Sequence, residues 1–171
     1  MRTQVTKRPG STAIDPSQGL RRGDFSAIVF AGLSGGLVYV DAWLERRPPE
    51  RTVSDAIEMA MRYTPAGVAI EANAFQFLLA PEFDRQCREN RIAPLPLHLV
   101  TQHTPKEVRI RGLGAYLARE KLRFLEGQGC RRLVQQLRDF PLSEYDDGPD
   151  ALELALRMLH LAAAKEREDP G

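Results

Sequence analysis

The chain has 171 residues, 43% hydrophobic and 27% charged, with a formal net charge of +1. That suffices for one domain with a sizeable core and sits too near neutrality for strong free-standing affinity for DNA. Its two cysteines, Cys87 and Cys130, fall in no Cys-x-x-Cys spacing, which excludes a disulfide framework and a zinc ribbon, and no apolar run approaches the roughly 18 residues of a membrane span, so a cytoplasmic protein without a membrane partner is expected.

Residues 1–11 are polar, carry three positive charges and contain Pro9-Gly10, so they read as a flexible arm or linker. A single folded domain is expected over 12–166, with a frayed tail over 167–171. Three extended segments come first, at 13–16, 25–33 and 37–44, and Gly35-Gly36 supplies a tight hairpin turn between the last two. Val53, Ile57, Ala60 and Met61 are spaced for a helix over 49–63, which Pro65 and Gly67 end. A short buried strand follows at 68–71, then a helix over 75–90 with Phe75, Leu78, Leu79, Phe83 and Cys87 on one face. Residues 95–100 make a strand whose Pro96 marks an edge or bulge.

Beyond it, 106–120 has a helical rhythm broken by Gly112 and Gly114, and 122–125 is a short extended piece. A helix over 131–140 stops at Pro141, and the last helix starts near Pro149 and runs to about Lys165. An antiparallel meander of three strands followed by parallel crossovers predicts an α/β mixed sheet flanked by helices, an order that resembles the ribonuclease H-like fold.

Acidic residues in three separated segments carry the chemistry. Asp15 ends one apolar run, Glu71 ends another, and Asp147 and Asp150 open the last helix three residues apart, on one face and near the positive end of the helix dipole. Burying several carboxylates together is costly unless they face cations, and oxygen ligands without histidine or cysteine suit Mg2+ or Mn2+. Two ions are expected, one activating water and one stabilising the leaving 3′ oxygen of a phosphodiester. Asp15 would bridge both, with Glu71 on one side and the helix pair on the other. His98 and His103 have no third ligand of their kind nearby, and Tyr39 and Trp43 read as packing residues.

The stretches DPSQGLRRGDFSAIV (15–29), IEANAFQ (70–76), TPKEVRI (104–110) and FPLSEYDDGPDALELAL (140–156) resemble the nuclease domain of the terminase large subunit of tailed bacteriophages and their prophages. The Phe-Pro, acidic spacer, Asp-Asp-Gly-x-Asp-Ala-Leu segment is the most specific of them. The resemblance implies a ribonuclease H-like fold and a Mg2+- or Mn2+-dependent endonuclease cutting double-stranded viral DNA during packaging in the bacterial cytoplasm. It assigns Asp15 and Glu71 to the first two metal-binding acids and the Asp146, Asp147, Asp150 group to the last. Asp147 and Asp150 are preferred because Asp146 points about 100° away from them on a helix.

Lys106 and Arg109 match the family's Lys-x-x-Arg-Ile segment, where a lysine holds a phosphate or balances charge. Arg21, Arg22, Gln76 and Arg109 are the expected DNA contacts, with Arg123, Arg131 and Arg132 extending the track. The chain departs from complete large subunits in having no Gly-Lys dipeptide, hence no Walker A loop. The chain is therefore expected to be a fragment, a separately encoded nuclease half or a prophage relic that keeps its acids, with a separate ATPase motor or other packaging proteins as partners. Two further readings stand beside the endonuclease: a non-catalytic scaffold or prophage relic of the same fold, and a Holliday-junction resolvase-like nuclease.

Overall fold

The structure is a computed structural model that describes residues 10–16, 25–72 and 76–168, the last without the side chains of 76–78 and 166–168. Its core is a six-stranded sheet in the order β5-β4-β1-β2-β3-β6. The central strands are β1 (Gly10–Asp15), β2 (Ser26–Ser34) and β3 (Leu37–Glu45), which form the expected antiparallel meander. Gly35 and Gly36 turn the hairpin at φ 58° and 75°, a left-handed pair that residues with a Cβ rarely adopt. The helix α1 (Pro49–Tyr63) then crosses to β4 (Gly67–Glu71), which pairs parallel with β1. Next, α2 (Gln76–Glu89) leads to β5 (Leu97–Val100), parallel to β4 at the sheet edge, with Pro96 just outside the strand where its missing N–H costs no ladder bond.

The expected 106–120 helix is two short ones, α3 (Lys106–Arg111) and α4 (Gly114–Ala118), because the chain tightens at Gly112 to bury both Ile110 and Leu113. β6 (Leu122–Phe124) closes the far edge against β3. α5 (Gln128–Asp139) and α6 (Asp147–Glu168) complete the chain, starting three and two residues earlier than their sequence signals. Cys130 and Leu133 seat α5 on β3, which outweighs the lack of a capping side chain at Gly127.

Side-chain alternation splits the sheet into two buried faces. Ile14, Ile28, Val68 and Ile70 meet α1 and α2, while Ala13, Ala27, Val29 and Ala69 meet α5 and α6. Small residues on this second face let α6 lie close across β1 and β2. The two apolar faces that α6 offers, Leu152/Ala155/Leu156/Leu159 and Ala151/Leu154, are both buried, since α3 and α5 flank the helix. β1 starts at Gly10, within the stretch expected as an arm. Gly10 and Ser11 are buried there, and the Ser11 hydroxyl donates to the Ala155 carbonyl of α6. Among the described residues no helix is long and apolar enough to cross a membrane.

Candidate metal centre

Asp15 and Glu71 occupy the carboxyl ends of adjacent parallel strands. The last paired residues of β1 and β4 are Ile14 and Ile70, so the two acids lie one step further along, on the side of the sheet where Ala13 and Ala69 meet α6. The first turn of α6 brings Asp147 and Asp150 to the same place, and its start is fixed by close packing. The Gly148 N–H donates to Gln136 Oε1 at 2.9 Å, and a Cβ on Gly148 would come within 2.6 Å of both that oxygen and Leu44 Cδ2. Gly148→Ala is therefore expected to cost about 1–3 kcal/mol through overpacking. A melting curve should show a fall of roughly 3–10 °C, and an unchanged melting temperature would mean that α6 is free to shift.

One cation joins the acids. Lys106 Nζ, from the start of α3, lies 2.8 Å from Asp146, 3.6 Å from Asp15, and 3.7 Å from both Asp147 and Asp150. Three residues on, Arg109 is buried with its side chain only 6% exposed, its Nη2 3.0 Å from Asp150 Oδ1 and donating to Oδ2 at 3.1 Å. The site is electrostatically tense. Burial pushes the Asp15 carboxyl up to about 8, with Lys106 opposing the rise and the charges of Asp147, Asp150 and Glu71 adding to it. Burial likewise lifts Asp150 to about 6 against the pull of Lys106 and Arg109. Lys106 is also penalised by burial, yet Asp15, Asp146 and Asp150 hold its pKa above the usual lysine value.

These features fit a hard divalent cation. The donors are all oxygens, and Asp15 Oδ2 is buried with no hydrogen-bond partner among the described residues. Negative charge is concentrated beyond what one lysine and one arginine relieve comfortably. Among the described residues no three acidic, histidine or cysteine side chains already form a cage. The position central to the carboxylates is taken by the Lys106 ammonium.

The sequence profile described as the terminase RNaseH-like domain matches residues 12–159. The chain belongs to this family. Solved structures agree on the terminase nuclease fold. The Mn-soaked, inhibitor-bound human cytomegalovirus terminase nuclease domain superposes with a TM-score of 0.65 at 11% identity, over 92% of this chain and 86% of that one. The zinc-bound large terminase nuclease of the thermophilic phage G20c gives 0.65 at 16% identity, over 88% and 81%. Its magnesium-bound form gives 0.63 at 14% identity with the same coverage. No curated protein matches the sequence.

Within this terminase fold, the residues singled out from sequence divide into three groups. Asp15, Asp147, Asp150 and Lys106 converge, and the Glu71 charge is felt at both Asp15 and Asp150. Arg21 and Arg22, and the side chain of Gln76, lie outside the described residues. Arg109, expected as a DNA contact, has its guanidinium buried against Asp150. Asp146 joins the same cluster. It precedes the first residue of α6, so the helical angle that turned it away from Asp147 does not govern it, and it is the acid nearest Lys106.

Proposed function

We propose that the chain is a metal-dependent endonuclease that hydrolyses phosphodiester bonds of double-stranded DNA with two Mg2+ or Mn2+ ions. The observation that carries this reading is the gathering of Asp15, Asp146, Asp147 and Asp150 within 3.7 Å of a single ammonium at the carboxyl end of β1. Membership of the terminase nuclease family and the metal-bound phage relatives of the same fold support it. Asp15, Glu71, Asp147 and Asp150 are the residues that would hold the ions. Ions so held supply an activated water and stabilisation of the leaving oxygen.

The protein's own groups do the rest. Asp15 and Asp150 give up the protons that burial favours, Arg109 fixes the orientation of Asp150, and Lys106, still protonated, turns from the carboxylates toward a phosphate oxygen. The setting we infer is genome packaging in a bacterial cytoplasm, in partnership with a packaging ATPase motor.

A second reading has one observation in its favour. Lys106 already neutralises part of the acid cluster, as a non-catalytic DNA-binding or packaging scaffold of the same fold would require. Plasmid nicking separates the two. The nuclease should convert supercoiled plasmid to nicked and linear forms with Mn2+ or Mg2+ and stop when a chelator is added. A folded protein that leaves plasmid intact with both metals across a range of salt would establish the scaffold.

A further inference from the structure

Beside the acids, at the same end of the sheet, two guanidinium groups converge on one aromatic ring. Asp15 pairs with Ala27 and Ser26 with Glu45, so Phe25 and Arg46 lie one step beyond that row. Tyr145 joins them from the residue before Asp146 and meets the Phe25 ring edge-on, with centroids 5.1 Å apart. Arg46 Cζ is 4.8 Å from the Phe25 centroid and 5.5 Å from that of Tyr145, and Arg46 Nη2 donates to the Tyr145 hydroxyl at 3.1 Å. Arg132, from α5, holds its Cζ 5.8 Å from the same Phe25 centroid while Nη1 donates to the Leu44 carbonyl at 2.6 Å. The Arg132 charge also reaches Arg47, where it helps to lower that group's pKa. A groove of about 710 Å3 lined by Phe25, Arg132, Phe140, Leu142 and Tyr145 opens next to them.

The fold orients both guanidinium groups by cation–π contact and hydrogen bonds, with the Glu144 carboxylate accepting from the same Tyr145 hydroxyl at 3.0 Å. Guanidinium forks held in this way match phosphate in particular. With the ring occupied by guanidinia, base stacking is disfavoured and backbone contact is what the patch offers, independent of sequence. We propose that Arg46 and Arg132, held over Phe25 and Tyr145, clamp a backbone phosphate of duplex DNA adjacent to the one placed at the acid cluster. The clamp deepens the nuclease reading and rests on it for the position of the cut.

The test is binding of a labelled duplex of about 30 base pairs with Ca2+ in place of Mg2+ or Mn2+, over a salt series. Arg46→Gln with Arg132→Gln should weaken binding roughly tenfold or more and flatten the slope of log affinity against log salt by about 1 to 2. Arg46→Lys with Arg132→Lys should restore most of the slope but not all of the affinity. On plasmid, the neutral double variant should raise KM while holding kcat to within about threefold.

Unchanged affinity and slope in a double variant that melts like the parent overturn the clamp. If loss of the Leu44 contact prevents that variant from folding, Arg46→Gln alone decides, since Arg46 is exposed and its replacement leaves the core untouched. A parent that binds with a clamp-dependent slope but never cuts keeps the clamp and defeats the nuclease. A parent that cuts with no clamp-dependent slope does the reverse.

Discussion

Asp15→Asn should abolish metal-dependent plasmid cleavage, by about a thousandfold or more, and at the same time make the metal-free protein more stable. The loss follows from removing the charge of an acid proposed to hold the metal. The gain follows from the burial of the Asp15 carboxyl, with the neighbouring acids adding to it. In the folded protein the carboxyl is pushed up to about 8 from an ordinary 3.8, so folding holds its proton more tightly than the unfolded chain does. That contribution is complete below about pH 4 and is lost as pH climbs toward 8, where ionisation beside Asp147, Asp150 and Glu71 works against the fold. Asparagine does not titrate. The variant and the parent should melt together near pH 4, and the variant should melt higher at pH 8 by at least roughly 3 °C, about 1.4 kcal/mol. Saturating Mn2+ or Mg2+ should raise the melting temperature of the parent and not that of the variant. Equal metal-induced shifts in both would place the ions elsewhere.

The largest loss of stability is expected from Arg109→Met. Its guanidinium and the Asp150 carboxylate are 6% and 4% exposed, and breaking a buried pair leaves a charge with too little compensation. Lys106 still faces Asp150, and Arg109 Nε and Nη1 lack hydrogen-bond partners among the described residues, so part of the cost of burying the arginine disappears with it. We expect a net cost near the low end of the buried-pair range, about 3 kcal/mol, or a fall of roughly 6–12 °C. Without Arg109 the pKa of Asp150, already about 6, rises further. The deficit should therefore be larger at pH 8, where the lone carboxylate is forced to ionise, than at pH 5, where it keeps its proton. Replacing both partners, Arg109→Met with Asp150→Leu, should recover much of the stability but none of the cleavage. A deficit below about 1 kcal/mol in the single variant would show that the pair does not seat Asp150.

Much of the fold was legible because the physics is local. Short apolar and β-branched runs in β1 to β4, the Gly35-Gly36 turn and the proline at the β5 boundary each identify an element from a few adjacent residues, and side chains alternate across each strand. The same alternation sends Asp15 and Glu71 to the face of Ala13 and Ala69, so their side of the sheet could be read from parity alone. What was not legible depends on tertiary approach. α5 and α6 begin early because Cys130 and Gly148 dock on neighbouring elements, and the α5 start has no capping side chain. Arg109 looked like a surface cation since nothing in Lys-x-x-Arg-Ile says that the fourth position faces α6. The shared ring at Phe25 joins residues 25, 46, 132 and 145, which no sequence window contains together.

The acids and the cations of the site hang on parts of very different stiffness. Asp15 and Glu71 end strands in the middle of the sheet, and Asp150 heads a helix walled in by neighbours. Both balancing cations ride on α3, a six-residue helix with Ile110 as its buried residue and Val108 57% exposed. So brief a segment is held chiefly by the Ile110 contact and its ion pairs to the acids, and its amides should exchange with solvent before those of β1 or β4. Lys106 can thus be withdrawn by unlatching a single small turn, and incoming ions would find the oxygen-bearing walls still standing.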